Sequence, residues 1–198
     1  MDNAENRWLN ILEKELKKEM DKAPSIDSSH NIHHARRVWE YVKQIAKNMD
    51  VDWEVLIAAT FLHDIGRHYP EGKEKHGPLS ASFAEEVLQR INFPKEKIEN
   101  TLLSIKYHQE RFPSSKRTTI ESKVLHDADK LDVFGAIGVS RYLIFHAMQD
   151  KTLEEIVDYA LENLPLRFKQ LELEETKKVA ESRFRYALEY FKQLNEEM

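Results

Sequence analysis

The stretch VLIAATFLHDIGR, residues 55–67, governs the reading of the whole chain. Val55 to Leu62 is a dense apolar run inside a longer helical segment, which predicts a deeply buried helix. The run ends on His63-Asp64. An ionised aspartate at such a helix end is costly unless a positive partner meets it, and a divalent cation or an arginine would serve. Taken alone, the dipeptide reads most simply as an ordinary helix-end pair with local hydrogen bonds, so its meaning depends on its surroundings.

Outward from that helix the pattern stays helical. Trp8, Leu9, Ile11, Leu12 and Leu16 recur at helical spacing, as do Val38, Tyr41, Val42 and Ile45. Further helices are expected around Phe83 to Ile91, around Ile98 to Ile105, and from Val124 through Leu131 into Phe134 to Phe145, with a break at Gly135 or Gly138. Leu153 to Leu164 and a long segment from about Glu174 complete the set. No stretch alternates apolar and polar residues for long, so strands are not expected. Loops are predicted at Pro24 to Ser29, Pro70 to Pro78 and Phe112 to Thr118; Pro94 restarts a helix and Pro165 breaks the C-terminal region. The fold class is all-α, with about eight or nine helices.

With 198 residues and no compositional seam, one domain spanning 1–198 is expected. Charged residues are 33% and apolar residues 41%, the balance of a globular chain. Net charge is −5, so no basic excess draws the protein to duplex nucleic acid. The absence of cysteine excludes disulfides, thiolate catalysis and Cys-based zinc sites. The charged N-terminal stretch is no signal peptide, and no apolar run is long enough for a membrane helix; a cytoplasmic protein is expected.

The histidines concentrate in the middle: eight of nine lie between His30 and His126. His34, in HNIHHARRVW, falls near the start of a predicted helix, and Asp129, in KVLHDADKLD, falls on another. His34, His63-Asp64 and Asp129 together form an imidazole and carboxylate set from three helices, which suits a divalent metal with positions left for water and substrate.

The order His34, His63-Asp64, Asp129 and its local contexts resemble the HD-domain superfamily, specifically its bacterial and archaeal hydrolase branch. HNIHHARRV is similar to the first-ligand helix, AATFLHDIGR to the doublet segment, HGPLSASFAEEVL to the helix after it, and HDADKLDVFGAIGVSR to the final-ligand helix. The resemblance covers residues 25 to 150 approximately, the expected HD core, with packing helices at either end. It implies an HD-type helical bundle and a metal-dependent phosphohydrolase whose ligands are His34, His63, Asp64 and Asp129. In such an enzyme the cation lowers the pKa of a bound water and neutralises charge on phosphoryl oxygens. One metal is implied. His76 and His108 resemble positions that hold a second metal in binuclear members; they read equally as contacts to substrate phosphate, or as helix-start and helix-end residues. The metal could be Mn, Fe, Co, Ni, Zn or Mg, the histidines weighing against Mg.

Asp64 is also a candidate proton acceptor. Arg67 and Lys130 follow ligand positions closely and are candidates to pair with an anionic substrate, against the plainer reading of solvated charges. Asp132 is placed to orient a ligand histidine or to bond to local backbone. His126-Asp127 is not taken as the metal doublet, and His33, His68 and His146 read as surface or packing residues. Close relatives often carry Asp after the early histidine, where this chain has Asn31. The implied substrate is a small phosphate ester, a nucleotide foremost, cleaved as a monoester or a diester. The competing reading is an inactive regulatory module that binds nucleotide or metal. The C-terminal helices are candidates to cap the site or to form a homodimer contact, and Phe184, Tyr186, Tyr190 and Phe191 to pack core.

Overall fold

The computed structural model describes residues 2–23 and 30–198, apart from the side chains of residues 2–6 and 73–75. The loop expected at Pro24 to Ser29 lies outside the described residues. Among the described residues there are nine α-helices and no strand: α1 (Asp2–Lys22), α2 (Ile32–Ala46), α3 (Trp53–Leu62), α4 (Gly72–Arg90), α5 (Lys95–Tyr107), α6 (Ile120–Leu131), α7 (Gly135–Ala147), α8 (Leu153–Lys169) and α9 (Glu174–Glu197). The contacts divide the chain into two compact units, Met1–His126 and Asp127–Met198, with the boundary inside α6.

In the first unit α3 is the central post. Every residue from Val55 to Leu62 is buried, and α1, α2 and α5 pack around it. A helix apolar on all faces has no other stable place. Its start is fixed by Asp52, whose carboxylate accepts the amides of Glu54 (3.0 Å) and Val55 (3.2 Å). Lys97 of α5 reaches Asp52 (2.8 Å) and Glu54 (2.6 Å), and the Trp8 indole N–H of α1 donates to Glu54 (2.7 Å). The entry of α3 is thereby tied to two neighbouring helices. Asn31 caps α2 by accepting the His33 amide (2.9 Å), which gives this residue a structural task.

The second unit packs α7 and α8 on α9 around Tyr142, Ile156, Val157, Leu164 and Phe191. Asp132 to Phe134 interrupt the helical run, and α7 begins at Gly135, whose φ of +76° is open to glycine without strain. The expected break therefore falls at the first of the two candidate glycines.

Several expectations need correction. The loop proposed for Pro70 to Pro78 is shorter: Pro78 lies inside α4, which starts at Gly72. His76 consequently sits within that helix and does not open it. Pro165 likewise lies inside α8. Proline near a helix end removes one hydrogen bond, and packing of the apolar face compensates. Phe191 and Phe184 pack as expected, Phe184 stacking on Phe168 at 4.6 Å, whereas Tyr186 and Tyr190 are exposed.

Candidate metal centre

The doublet stands where α3 runs out. His63 caps the C-terminus of the helix, and Asp64 leads into a short 3-10 turn, Ile65–His68. Gly66 makes this turn possible. Its amide donates to the Ser80 hydroxyl (2.9 Å), and a Cβ there would lie 2.7 Å from the Ser80 amide nitrogen and 2.9 Å from the His76 carbonyl. Only glycine lets α4 approach so closely, and that approach delivers His76 to the doublet.

Asp64 is 8% exposed and turns its two oxygens to different neighbours. Oδ2 lies 3.3 Å from His63 Nε2 and 3.5 Å from His34 Nε2. Oδ1 lies 3.2 Å from His76 Nε2, 3.7 Å from His108 Nε2 and 3.7 Å from Arg67 Nε. The imidazoles of His30, His34, His63, His108 and His76 follow one another in ring contact, with centroids 5.0–5.3 Å apart. Burial alone would raise the Asp64 carboxyl; the adjacent His63, with His34 and His76 close to its oxygens, more than reverses this and holds it well below the usual carboxylate range.

The outer contacts show why positive charge is needed here. His63 Nδ1 donates to the Thr60 carbonyl (2.7 Å), and His108 Nδ1 to the Ile105 carbonyl (2.6 Å). Each neutral ring therefore turns an Nε2 lone pair inward, toward a carboxylate that also offers lone pairs. Buried acceptors facing acceptors at 3.3 Å and 3.7 Å repel unless a proton or a cation joins them. Imidazoles anchored through the opposite nitrogen to a carbonyl are the usual metal-binding arrangement. The donor set thus fits a divalent cation: His34, His63 and Asp64 present ligand atoms within 4.8 Å of one another, and so do Asp64, His76 and His108. A pocket lined by Leu16, His30, Asn31, His34, Thr60 and His68 reaches the doublet.

The first unit therefore brings His34, His63, Asp64, Arg67, His76 and His108 together. Asp129 is half-buried and Lys130 buried on α6, both in the second unit. Asp132 binds the Arg141 guanidinium (2.6 Å), a contact not foreseen from sequence. The second His-Asp doublet is structural: His126 Nδ1 donates to the His108 carbonyl (2.6 Å), and Asp127 accepts the Glu172 (2.9 Å) and Leu173 (2.8 Å) amides ahead of α9. His33 is exposed, and His146 packs between the rings of Tyr142 and Tyr159. His68, expected at the surface or in packing, is 1% exposed and lines the pocket. Gln109 went unnoticed, because its partners Gly77 and His76 lie more than thirty residues away in sequence.

Comparisons with known proteins agree with this geometry. The chain is 26% identical over 179 residues to the uncharacterized protein YpgQ of Bacillus subtilis, covering 86% of this chain and 85% of that one. A crystal structure of B. subtilis YpgQ in complex with ADP matches with a TM-score of 0.77 at 22% identity, covering 98% of this chain and 96% of that one. A predicted HD-superfamily hydrolase from an uncultured Thermotogales bacterium matches with a TM-score of 0.63 at 26% identity, over 97% and 91% of the two chains. An HD-superfamily hydrolase from Bacillus thuringiensis gives 0.75 at 19% identity, over 98% and 97%. The family model for the HD domain matches residues 31–133, the span that carries His34, the His63-Asp64 doublet and Asp129, and the chain belongs to that family.

Proposed function

We propose that the protein is a metal-dependent phosphohydrolase that cleaves a small phosphate ester, with a nucleotide as the substrate class. The observation that carries the reading is Asp64: buried, ionised, and faced on both oxygens by imidazoles whose outer nitrogens are tied to backbone carbonyls at His63 and His108. Family membership supports the metal, the neighbours described as HD-superfamily hydrolases support hydrolysis, and the ADP complex of YpgQ supports a nucleotide.

His34, His63, Asp64 and Asp129 are the assigned ligands, the last on the resemblance of its segment to the family's final-ligand helix. A divalent cation at these residues supplies an acidified water and neutralises phosphoryl charge. Asp64 would take the proton of the attacking water as the water oxygen bonds to phosphorus, and would return it to the ester oxygen as the P–O bond breaks and the alcohol leaves. Arg67 and Lys130 pair with the remaining phosphate oxygens. A cytoplasmic location, a single functional domain and a homodimer contact through the C-terminal helices belong to the same proposal. The inactive-module reading predicts missing ligand positions, and all four are filled here.

The test is bound metal per chain, by elemental analysis, for wild type and for the His63→Ala, Asp64→Ala double variant. Metal in the first and none in the second, followed by turnover in a screen of nucleotide and sugar phosphates, is the expected result. No metal in wild type after incubation with Mn, Co or Ni overturns it.

A further inference from the structure

A chain of hydrogen bonds fixes the roles of His76 and His108, and its two ends are backbone groups whose roles cannot change. The Gly77 amide can only donate, and it donates to Gln109 Oε1 (2.9 Å). That contact orients the Gln109 side chain, so its NH2 faces His76 Nδ1 (3.1 Å) and donates to it. His76 Nδ1 is then an acceptor, and the neutral ring carries its hydrogen on Nε2. At the other end the Ile105 carbonyl can only accept, so His108 holds its hydrogen on Nδ1 and presents an Nε2 lone pair. The two Nε2 atoms lie 3.1 Å apart, donor from His76 to acceptor on His108, with Asp64 Oδ1 a second acceptor 3.2 Å from the same His76 nitrogen.

His63 and His108 each have the outer acceptor that a metal-binding imidazole uses; His76 has an outer donor in that place. To ligate through Nε2, His76 would have to put its hydrogen on Nδ1, against the Gln109 NH2. Turning the amide over would set that NH2 against the Gly77 amide. Either arrangement leaves two buried donors facing each other with no acceptor between them.

We propose that Gln109 is a positioning residue that holds His76 in the Nε2–H form, its hydrogen directed at His108 and Asp64, and so withholds it from a second metal. The second-metal group of Asp64, His76 and His108 is thereby short of one ligand, and the site takes one metal. The metal count in this inference rests on the metal-dependent phosphohydrolase reading; the tautomer does not.

The test uses the full chain. Long-range proton–nitrogen correlation spectra of metal-free, histidine-labelled protein, with the His76 signals assigned by their loss in His76→Gln, are expected to show Nε2–H in wild type. In Gln109→Glu, whose two oxygens accept from both Gly77 and His76, they should show Nδ1–H. Manganese counted per chain should rise from about one in wild type to about two in Gln109→Glu, and return to one when His76→Gln is added. An Nδ1–H signal in wild type overturns the proposal. So does a wild-type count of two that His76→Gln lowers to one, or a Gln109→Glu count that stays at one or does not depend on His76. A wild type that takes no metal defeats the phosphohydrolase reading, while the spectra still decide the tautomer.

Discussion

Asp64 divides its oxygens between two sets of imidazoles, so its charge and its shape can be separated by substitution. Asp64→Asn keeps the volume and removes the charge that the surrounding histidines sustain. Bound metal should fall, and where metal is forced in, turnover should drop by about 10²-fold or more, the loss of a proton acceptor. Wild-type turnover in a metal-replete Asp64→Asn protein would remove Asp64 from the proton-transfer role. Arg67 is half-buried, with Nε 3.7 Å from Asp64 Oδ1. Arg67→Gln should lower kcat/KM roughly 10- to 100-fold, chiefly through KM, the value of a charged hydrogen bond to phosphate. An unchanged KM would make it a partner of Asp64 alone. At this scale the sequence was legible where spacing follows a known motif, as for His34 and His63-Asp64. It was silent where one side chain sets the hydrogen of another, as Gln109 does for His76, because such pairs leave no local pattern.

Between elements, the closest approaches are those of α4, against Gly66 on one side and, at Gly77, the end of α5. A Cβ on Gly77 would lie 2.7 Å from the Lys106 carbonyl and 3.0 Å from Gln109 Oε1. Gly66→Ala should cost about 1–3 kcal/mol in urea unfolding by forcing α4 outward. It should also reduce bound metal, since Asp64 precedes the turn and His76 rides on the displaced helix. Loss of stability with full metal retention would show that the site tolerates a shift of α4. In the second unit, burial pushes the Asp127 carboxyl up to about 6, despite the hydrogen bonds it accepts from the amides of Glu172 and Leu173. An acid with a raised folded value holds its proton more tightly when folded, so its contribution is fully present below the unfolded value near 4 and is lost as pH rises through 6. Relative to Asp127→Asn, wild type should lose about 2–3 kcal/mol of stability between pH 4 and pH 6.5, read from denaturant midpoints. A flat difference across that window would show the carboxyl to be unperturbed. The helices themselves were readable from periodicity, yet Pro78 and Pro165 misled, because proline marks a loop only where packing does not hold the helix on both sides of it.

For the molecule as a whole, a ligand that binds only the folded chain must stabilise it. At a metal concentration one hundred times its dissociation constant, stability should rise by about 2.7 kcal/mol. Tm should therefore climb with added manganese and fall with a chelator, and His63→Ala, Asp64→Ala should abolish both effects. A Tm indifferent to metal would mean that no folded-state metal site exists. The all-helical class was legible because apolar residues recur at helical spacing in every segment. The division into two units was not: its boundary runs through α6, an uninterrupted helix with no proline or glycine at His126.

The burial of α3 from Val55 to Leu62 has a kinetic consequence. Its amides can exchange with solvent hydrogen only when the unit opens globally, so α3 should be the slowest-exchanging segment. The His63 and Asp64 side chains, by contrast, follow its C-terminal end and line a pocket. Metal can then leave and return by side-chain movement while the post stays folded. Stripped protein should reload in a single fast phase, with no refolding step, and the exchange pattern of α3 should be the same before and after.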